Sequence, residues 1–242
     1  MNPYYEKVMG KLERAFETQE NALEACAQEI ARCVSSGGIV HAFGTGHSHM
    51  LAEELFYRAG GLGPVNAILE PALMLHEAAE LGTYLERMEG IADFIVHRED
   101  IRPGDVLIAF SNSGRNAVPA EMVQIAKERG AFTIGIGSGA YRDMPSRHSR
   151  GLKMSDLVDI FLDNESDLGD ACVAVGAEGI CVGATSTVVG AALLESIIVR
   201  VAQLLEKQGG ELPYFVSANG AGNQDEHNRA LMDRYRDRVR SF

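Results

Sequence analysis

With 242 residues, 46% of them hydrophobic and 23% charged, the chain suits one domain with appended helices and holds enough apolar side chains for a large core. Its 34 Asp and Glu against 22 Lys and Arg give a formal net charge of −12. Such a balance repels nucleic acid and anionic lipid, and no basic run offsets it.

The opening MNPYYEKVMGKLERAFETQE is mixed and charged, unlike a secretory leader. Val8, Leu12, Ala15, Phe16, Leu23, Cys26 and Ile30 recur at helical spacing and predict one long amphipathic helix over 4–34. Ser35-Ser36-Gly37-Gly38 ends it. IVHAF (39–43) reads as a strand, GTGHSH (44–49) as a tight glycine turn and residues 50–60 as a helix. VNAIL (65–69) is a second strand, and residues 81–96 are broadly helical. VLIAF (106–110), SNSGR (111–115) and residues 117–129 repeat the order strand, turn, helix. FTIGI (132–136) and LVDIFLD (157–163) complete five strands. A nearly uncharged helix covers 187–205, where Glu195 and Arg200 argue against a membrane span. A polar, glycine-containing stretch over 213–228 follows. Arg234, Arg236, Arg238 and Arg240, alternating with Asp233 and Asp237, then read as a solvated helix. None of the four cysteines forms a CxxC pair, so Cys26, Cys33 and Cys181 read as buried structural thiols.

Strands apolar throughout, alternating with helices, imply a parallel sheet covered on both faces. The expected fold is a three-layer α/β/α sandwich on a five-stranded, flavodoxin-like sheet. Residues 1–36 form an N-terminal helix on the core or on a partner subunit, 37–207 the main domain and 208–242 a C-terminal loop and helix. A cytoplasmic protein is expected.

In an open parallel sheet, ligands bind beyond the carboxyl ends of the strands. Three polar segments belong there: Gly44-Thr45-Gly46-His47-Ser48 after the first strand, Ser111-Asn112-Ser113-Gly114 after the third, and Thr185-Ser186-Thr187 before the last core helix. Each joins small hydroxyls to a helix start, where free N–H groups attract anions. Taken singly, any of them is equally well explained as an N-cap.

These segments carry a resemblance. LIAFSNSGRNAVPAEMVQIAKERG (107–130) looks like the signature of sugar isomerase (SIS) domains. HAFGTGHSHMLAEELFYRAGG (41–61) resembles that family's first strand, glycine loop and helix, and AVGAEGICVGATSTVVGAALLES (174–196) its closing Ser/Thr loop and helix. The resemblance spans roughly 37–205 and comes nearest to stand-alone phosphoheptose-isomerase-like proteins. It implies phosphate contacts from Ser111, Asn112, Ser113, Gly114, Thr185, Ser186 and Thr187. Gly44, Thr45, Gly46, His47 and Ser48 would line the sugar. Also implied are a sugar phosphate as partner, no cofactor, aldose–ketose isomerisation through an enediol, and a homodimer or homotetramer. The helix glutamate of that family falls at Arg58 here, with Glu53 and Glu54 one turn earlier.

Proton transfer between carbons needs a carboxylate or histidine. Glu178, which interrupts an apolar small-residue run, is the first candidate base, and His227 the candidate acid; Glu70, His76 and Glu226 remain open. His47 and His49 supply two metal-type ligands without a third nearby, so no metal is expected. The loop over 141–153 offers Arg147 and His148 as donors over a phosphosugar. Two rival functions are open. A dinucleotide-binding oxidoreductase would use Gly44-x-Gly46 and Glu70, but His49 stands at its third glycine. A phosphosugar sensor would bind without turnover.

Overall fold

The computed structural model describes residues 2–217 and 224–242. Helix α1 (Pro3–Thr18) starts at Asn2, whose Oδ1 accepts the N–H groups of Tyr4 and Tyr5, with proline at the first helical position. The expected single helix is in fact two, with α2 (Glu20–Ser35) beginning after Gln19. The break is tertiary. The Gln19 amide donates to the Asp163 carbonyl at 2.8 Å and accepts the Asp163 N–H at 2.6 Å, clipping the helix junction to the sheet edge.

Strand β1 (Val40–Gly44) leads into α3 (His49–Leu55), and β2 (Val65–Ile68) into α4 (Ala79–Leu85) and α5 (Ile91–Val96). The helical stretch expected over 81–96 is interrupted at Gly90, which adopts a left-handed φ of 86° and gives its N–H to Glu121. β3 (Val106–Phe110), α6 (Ala117–Glu128), β4 (Phe132–Gly137), the short α7 (Met154–Leu157) and β5 (Ile160–Asp163) follow. A hairpin of β6 (Ala171–Val175) and β7 (Ile180–Ala184) precedes α8 (Ser186–Lys207), and α9 (Gln224–Tyr235) follows it.

The five main strands pair in parallel in the order β2-β1-β3-β4-β5, so the expected three-layer fold is observed. Val40 lies level with Val65 and Val106, and Ile134 with Ile160. Alternate residues face opposite sides. Ala42, Ile108 and Ile134 pack under α2, α3 and α8, whereas Phe43, Leu107 and Ala109 pack under α5 and α6. Helix α8 is long and apolar enough to cross a membrane. Here its Leu194, Ile197 and Val201 join the core, and its Arg200 forms an ion pair with Glu24.

Three expectations need correction. The chain over 171–184 is a hairpin instead of a loop, its strand signal masked by Gly176, Gly179 and Gly183. Cys181 is exposed on that hairpin, whereas Cys26 and Cys33 are buried and their thiols pushed up to about 12, chiefly by burial. The tail is not a solvated helix beyond Tyr235. Arg238 donates to Asp105 at 2.6 Å and to Asp100 at 2.9 Å, and Arg240 pairs with Glu99. These contacts complete a buried network at the amino ends of the strands. In it His41 Nε2 lies 3.2 Å from Asp105, while the Asn66 side-chain amide meets His41 Nδ1 and Glu99.

Candidate functional site

At the opposite, carboxyl ends of the strands the three polar segments converge. β1 ends at Gly44, where a Cβ would lie 2.5 Å from the Ser48 carbonyl oxygen, so only glycine lets the chain turn this tightly. After β3, Ser111 Oγ accepts the Gly114 N–H at 3.1 Å, closing a turn whose Gly114 has a positive φ of 61°. The Asn112 side-chain carbonyl accepts from Asn164 (3.0 Å) and from the Ser166 hydroxyl (2.9 Å). Ser48, Asn112, Ser186 and Thr187 line a narrow hollow. Beside it, Ser111, Asn112, Ser113 and Gly114 line a second narrow hollow, with Tyr141 and Arg142 from the loop after β4.

The third segment carries a surprise for a phosphate site. Asp170 Oδ1 accepts the N–H groups of Thr185 (3.0 Å) and Ser186 (2.8 Å), and its Oδ2 accepts the Ser186 hydroxyl at 2.5 Å. The anion position at the start of α8 is thus taken by a carboxylate of the chain itself, held at a left-handed φ of 67°. Thr185 is fully buried, and its Oγ1 is the buried side-chain polar atom that has no partner among the described residues. Ser186 and Thr187 still reach the hollow.

On the other side of the Ser-Asn-Ser-Gly loop, Thr45 Oγ1 donates to Glu86 Oε2 at 2.8 Å. The Glu86 carbonyl accepts the Val118 N–H at the start of α6, fixing this half-buried carboxylate against the loop after β1. Arg115 Nε donates to the Pro145 carbonyl at 2.6 Å, and Arg147 Nη1 to Asn116 at 2.8 Å. Burial, then the nearby Arg87 and Arg115 guanidiniums, lower the Arg147 pKa. Glu86 and Arg87 escaped sequence reasoning because they fall in a stretch that reads as ordinary amphipathic helix.

Glu178 and His227 lie apart from this cleft, whereas His76 stands beside His49, their ring centroids 6.4 Å apart. Glu178 occupies the exposed turn of the hairpin, about 20 Å along the strand from Thr185 at ordinary strand rise. It interrupts the apolar run because it is a turn residue between Gly176 and Gly179. His227 Nε2 donates to the Tyr214 carbonyl at 2.9 Å, and Tyr214 pairs with Leu62, just before β2. His227 therefore sits at the amino ends of the strands. Glu70 is tied to Arg98 and so is not free to hold a ribose. Arg58 pairs with Glu54 and Glu195. Residues 218–223 of the polar stretch lie outside the described residues.

His47 and His49 gather no third metal-type ligand among the described residues. Glu89, Glu121 and His148 do lie together. His148 Nδ1 accepts the Arg150 N–H at 3.0 Å, leaving the proton on Nε2 to meet Glu121 at 3.2 Å. The trio pins the loop over 141–153 against α6.

A family model described as "SIS domain" matches residues 3–138, from α1 through the Ser-Asn-Ser-Gly loop to just past β4. A UPF0309 protein of Geobacillus kaustophilus is 42% identical over 99% of this chain and 95% of that protein. Among solved structures, a phosphoheptose isomerase from Francisella tularensis superposes with a TM-score of 0.57, covering 84% of this chain and 96% of that one at 15% identity. The Vibrio vulnificus NanR protein complexed with ManNAc-6P superposes with a TM-score of 0.50, covering 97% and 67% at 17% identity. At such identities these two likenesses speak for the fold, whereas the family match and the 42% relative speak for descent: the chain belongs to the SIS domain family.

Proposed function

We propose that the protein binds a sugar phosphate at the carboxyl ends of β1 and β3 and interconverts its aldose and ketose forms. The observation that carries this reading is the convergence of Ser48, Asn112, Ser186 and Thr187 on one hollow beside Ser111, Ser113 and Gly114. Hydroxyls, amide donors and helix starts suit a phosphate. Gly44, Thr45, Gly46, His47 and Ser48 follow β1 beside it, where the sugar would lie. Glu86 replaces Glu178 as the base in this reading, because it is fixed next to Thr45. It takes the proton from the carbon beside the carbonyl as the carbonyl oxygen gains one, which gives the enediol; the carbon proton then returns to the neighbouring carbon as the other hydroxyl oxygen gives up its own, leaving the isomer. Binding without turnover, as a sensor, is the second reading, favoured by the distance of Glu178 and His227 from the cleft. A thermal-shift panel of sugar phosphates tests binding. A ligand at 100 times its Kd stabilises the fold by about 2.7 kcal/mol. A coupled isomerase assay on each hit separates the two readings.

The same reading includes assembly in the cytoplasm with a second copy. Val175, Ile180 and Val182 share one exposed face of the β6–β7 ribbon, and Tyr5, Met9 and Phe16 form an exposed stripe on α1. The ribbon meets α1 at its base, where the Tyr4 hydroxyl donates to the Ala184 carbonyl at 2.7 Å, and a two-stranded ribbon alone is marginal in water. Glu178 is the single charge between Ala171 and Ala184. In a chain of net charge −12, this neutral apolar side is where like-charged copies meet at least cost. A groove between α2 and α8, lined by Phe16, Leu23 and Ile197, continues it.

A further inference from the structure

We infer that the cleft recognises a sugar phosphate carrying a second acidic group, and that Arg87, Arg115 and Arg147 hold that second anion; this rests on the phosphosugar reading above. In a protein with an excess of carboxylates, arginines ordinarily find partners, as Arg58, Arg98 and Arg200 do here. Arg87, Arg115 and Arg147 pair with none of the described carboxylates, although they lie close enough for Arg87 and Arg115 to depress the Arg147 pKa beyond the effect of burial. The Glu86 carboxylate also acts on Arg147, but three guanidiniums against one carboxylate leave an excess of positive charge that a bound anion relieves.

The cluster is held in place. The Arg147 N–H donates to the Arg115 carbonyl at 2.9 Å, Arg115 Nε to the Pro145 carbonyl and Arg147 Nη1 to Asn116, which precedes α6. The remaining guanidinium N–H groups are left for a ligand, in a fork that matches a carboxylate or phosphate. Position decides why this is a second anion site. The hollow at Ser48, Asn112, Ser186 and Thr187 belongs to the α3–α8 side of the sheet. The arginines belong to the α6 side, with the Ser-Asn-Ser-Gly loop between them. A sugar lying across that loop, beside Thr45 and Glu86, presents one acidic group to each side.

Calorimetric titration of the full chain tests this with two pairs of probes: fructose 6-phosphate against fructose 1,6-bisphosphate, and glucose 6-phosphate against 6-phosphogluconate. Within at least one pair the doubly anionic member is expected to bind roughly tenfold tighter or more, as lost hydrogen bonds to a charged group suggest. Which pair shows it tells phosphate from carboxylate. Arg87→Gln, at an exposed residue whose side chain makes no hydrogen bond among the described residues, removes that advantage while leaving monophosphate affinity within about twofold. Equal affinities within both pairs overturn the inference and leave the phosphosugar reading standing. Equal losses for mono- and doubly anionic ligands in Arg87→Gln also overturn it, because the arginines then hold the phosphate itself. Gluconate binding that depends on Arg87, with no phosphosugar bound, keeps the arginine site and removes the phosphosugar. If none of these ligands binds, both readings fall.

Discussion

Replacing Asp105 by Asn probes the buried network at the amino ends of β1 and β3. Burial alone would raise the pKa of this carboxyl. Hydrogen bonds from His41, from the N–H groups of Ile39 and Arg102 and from Arg238 instead hold it at about 2, against an ordinary 3.8. At about 1 kcal/mol or a little more per pKa unit, that gap corresponds to roughly 2–3 kcal/mol of folding stability. The sign follows from the depressed value: the contribution is complete above about pH 5 and fades as the pH falls toward 2. Asp105→Asn should therefore lower the thermal midpoint by roughly 5–10 °C at pH 7 for a chain of this size, and by much less near pH 2.5. Melts followed by circular dichroism at pH 7, 4 and 2.5 read this directly. An equal loss at all three pH values, or none at pH 7, refutes the electrostatic account.

The other expectations concern the cleft and the assembly. Ser111→Ala with Ser113→Ala should weaken sugar-phosphate binding by orders of magnitude, seen by calorimetry, and cost only about 1 kcal/mol of stability for the lost Ser111–Gly114 bond. Once a substrate is found, Glu86→Gln should lower turnover roughly a hundredfold with little change in binding, whereas Glu178→Gln should leave it near normal. The reverse pattern in steady-state kinetics would return the base to Glu178 and require the hairpin of a neighbouring copy. Ile180→Asp with Val182→Asp should convert the assembly to monomer in light scattering without loss of helical signal; a variant of unchanged mass removes the hairpin from the interface.

The strands were legible because all five are apolar runs bounded by glycine, proline or polar turns. The Ser-Asn-Ser-Gly loop was legible because a strand ends in Phe110 and a helix starts two residues after Arg115. What escaped was set by partners remote in sequence. Gln19 divides the first helix only because the edge strand offers Asp163. Asp170 caps α8 from before a hairpin that three glycines concealed. Glu86 and Arg87 acquire meaning only when α4 is brought beside the loop after β1. Local pattern thus locates the strands and turns, and only the assembled sheet says which polar residues face one another.

The salt bridges of Arg238 and Arg240 bear on how this domain can be moved or trimmed. The parallel sheet and its covering helices, α2 included, end at Lys207, which invites excision of residues 20–207 as a portable unit. Such a fragment would carry Asp105 and Glu99, nearly inaccessible to water, away from the guanidiniums that neutralise them. Removing one partner of a buried pair costs about 3–5 kcal/mol, a large share of the 5–15 kcal/mol by which a typical domain is stable. The fragment would also lose the Tyr214 pairing beside Leu62 and uncover Phe56, on which Phe242 stacks. A transplantable version of this fold must therefore keep its tail, or replace Asp105 and Glu99 with neutral residues when the tail is cut.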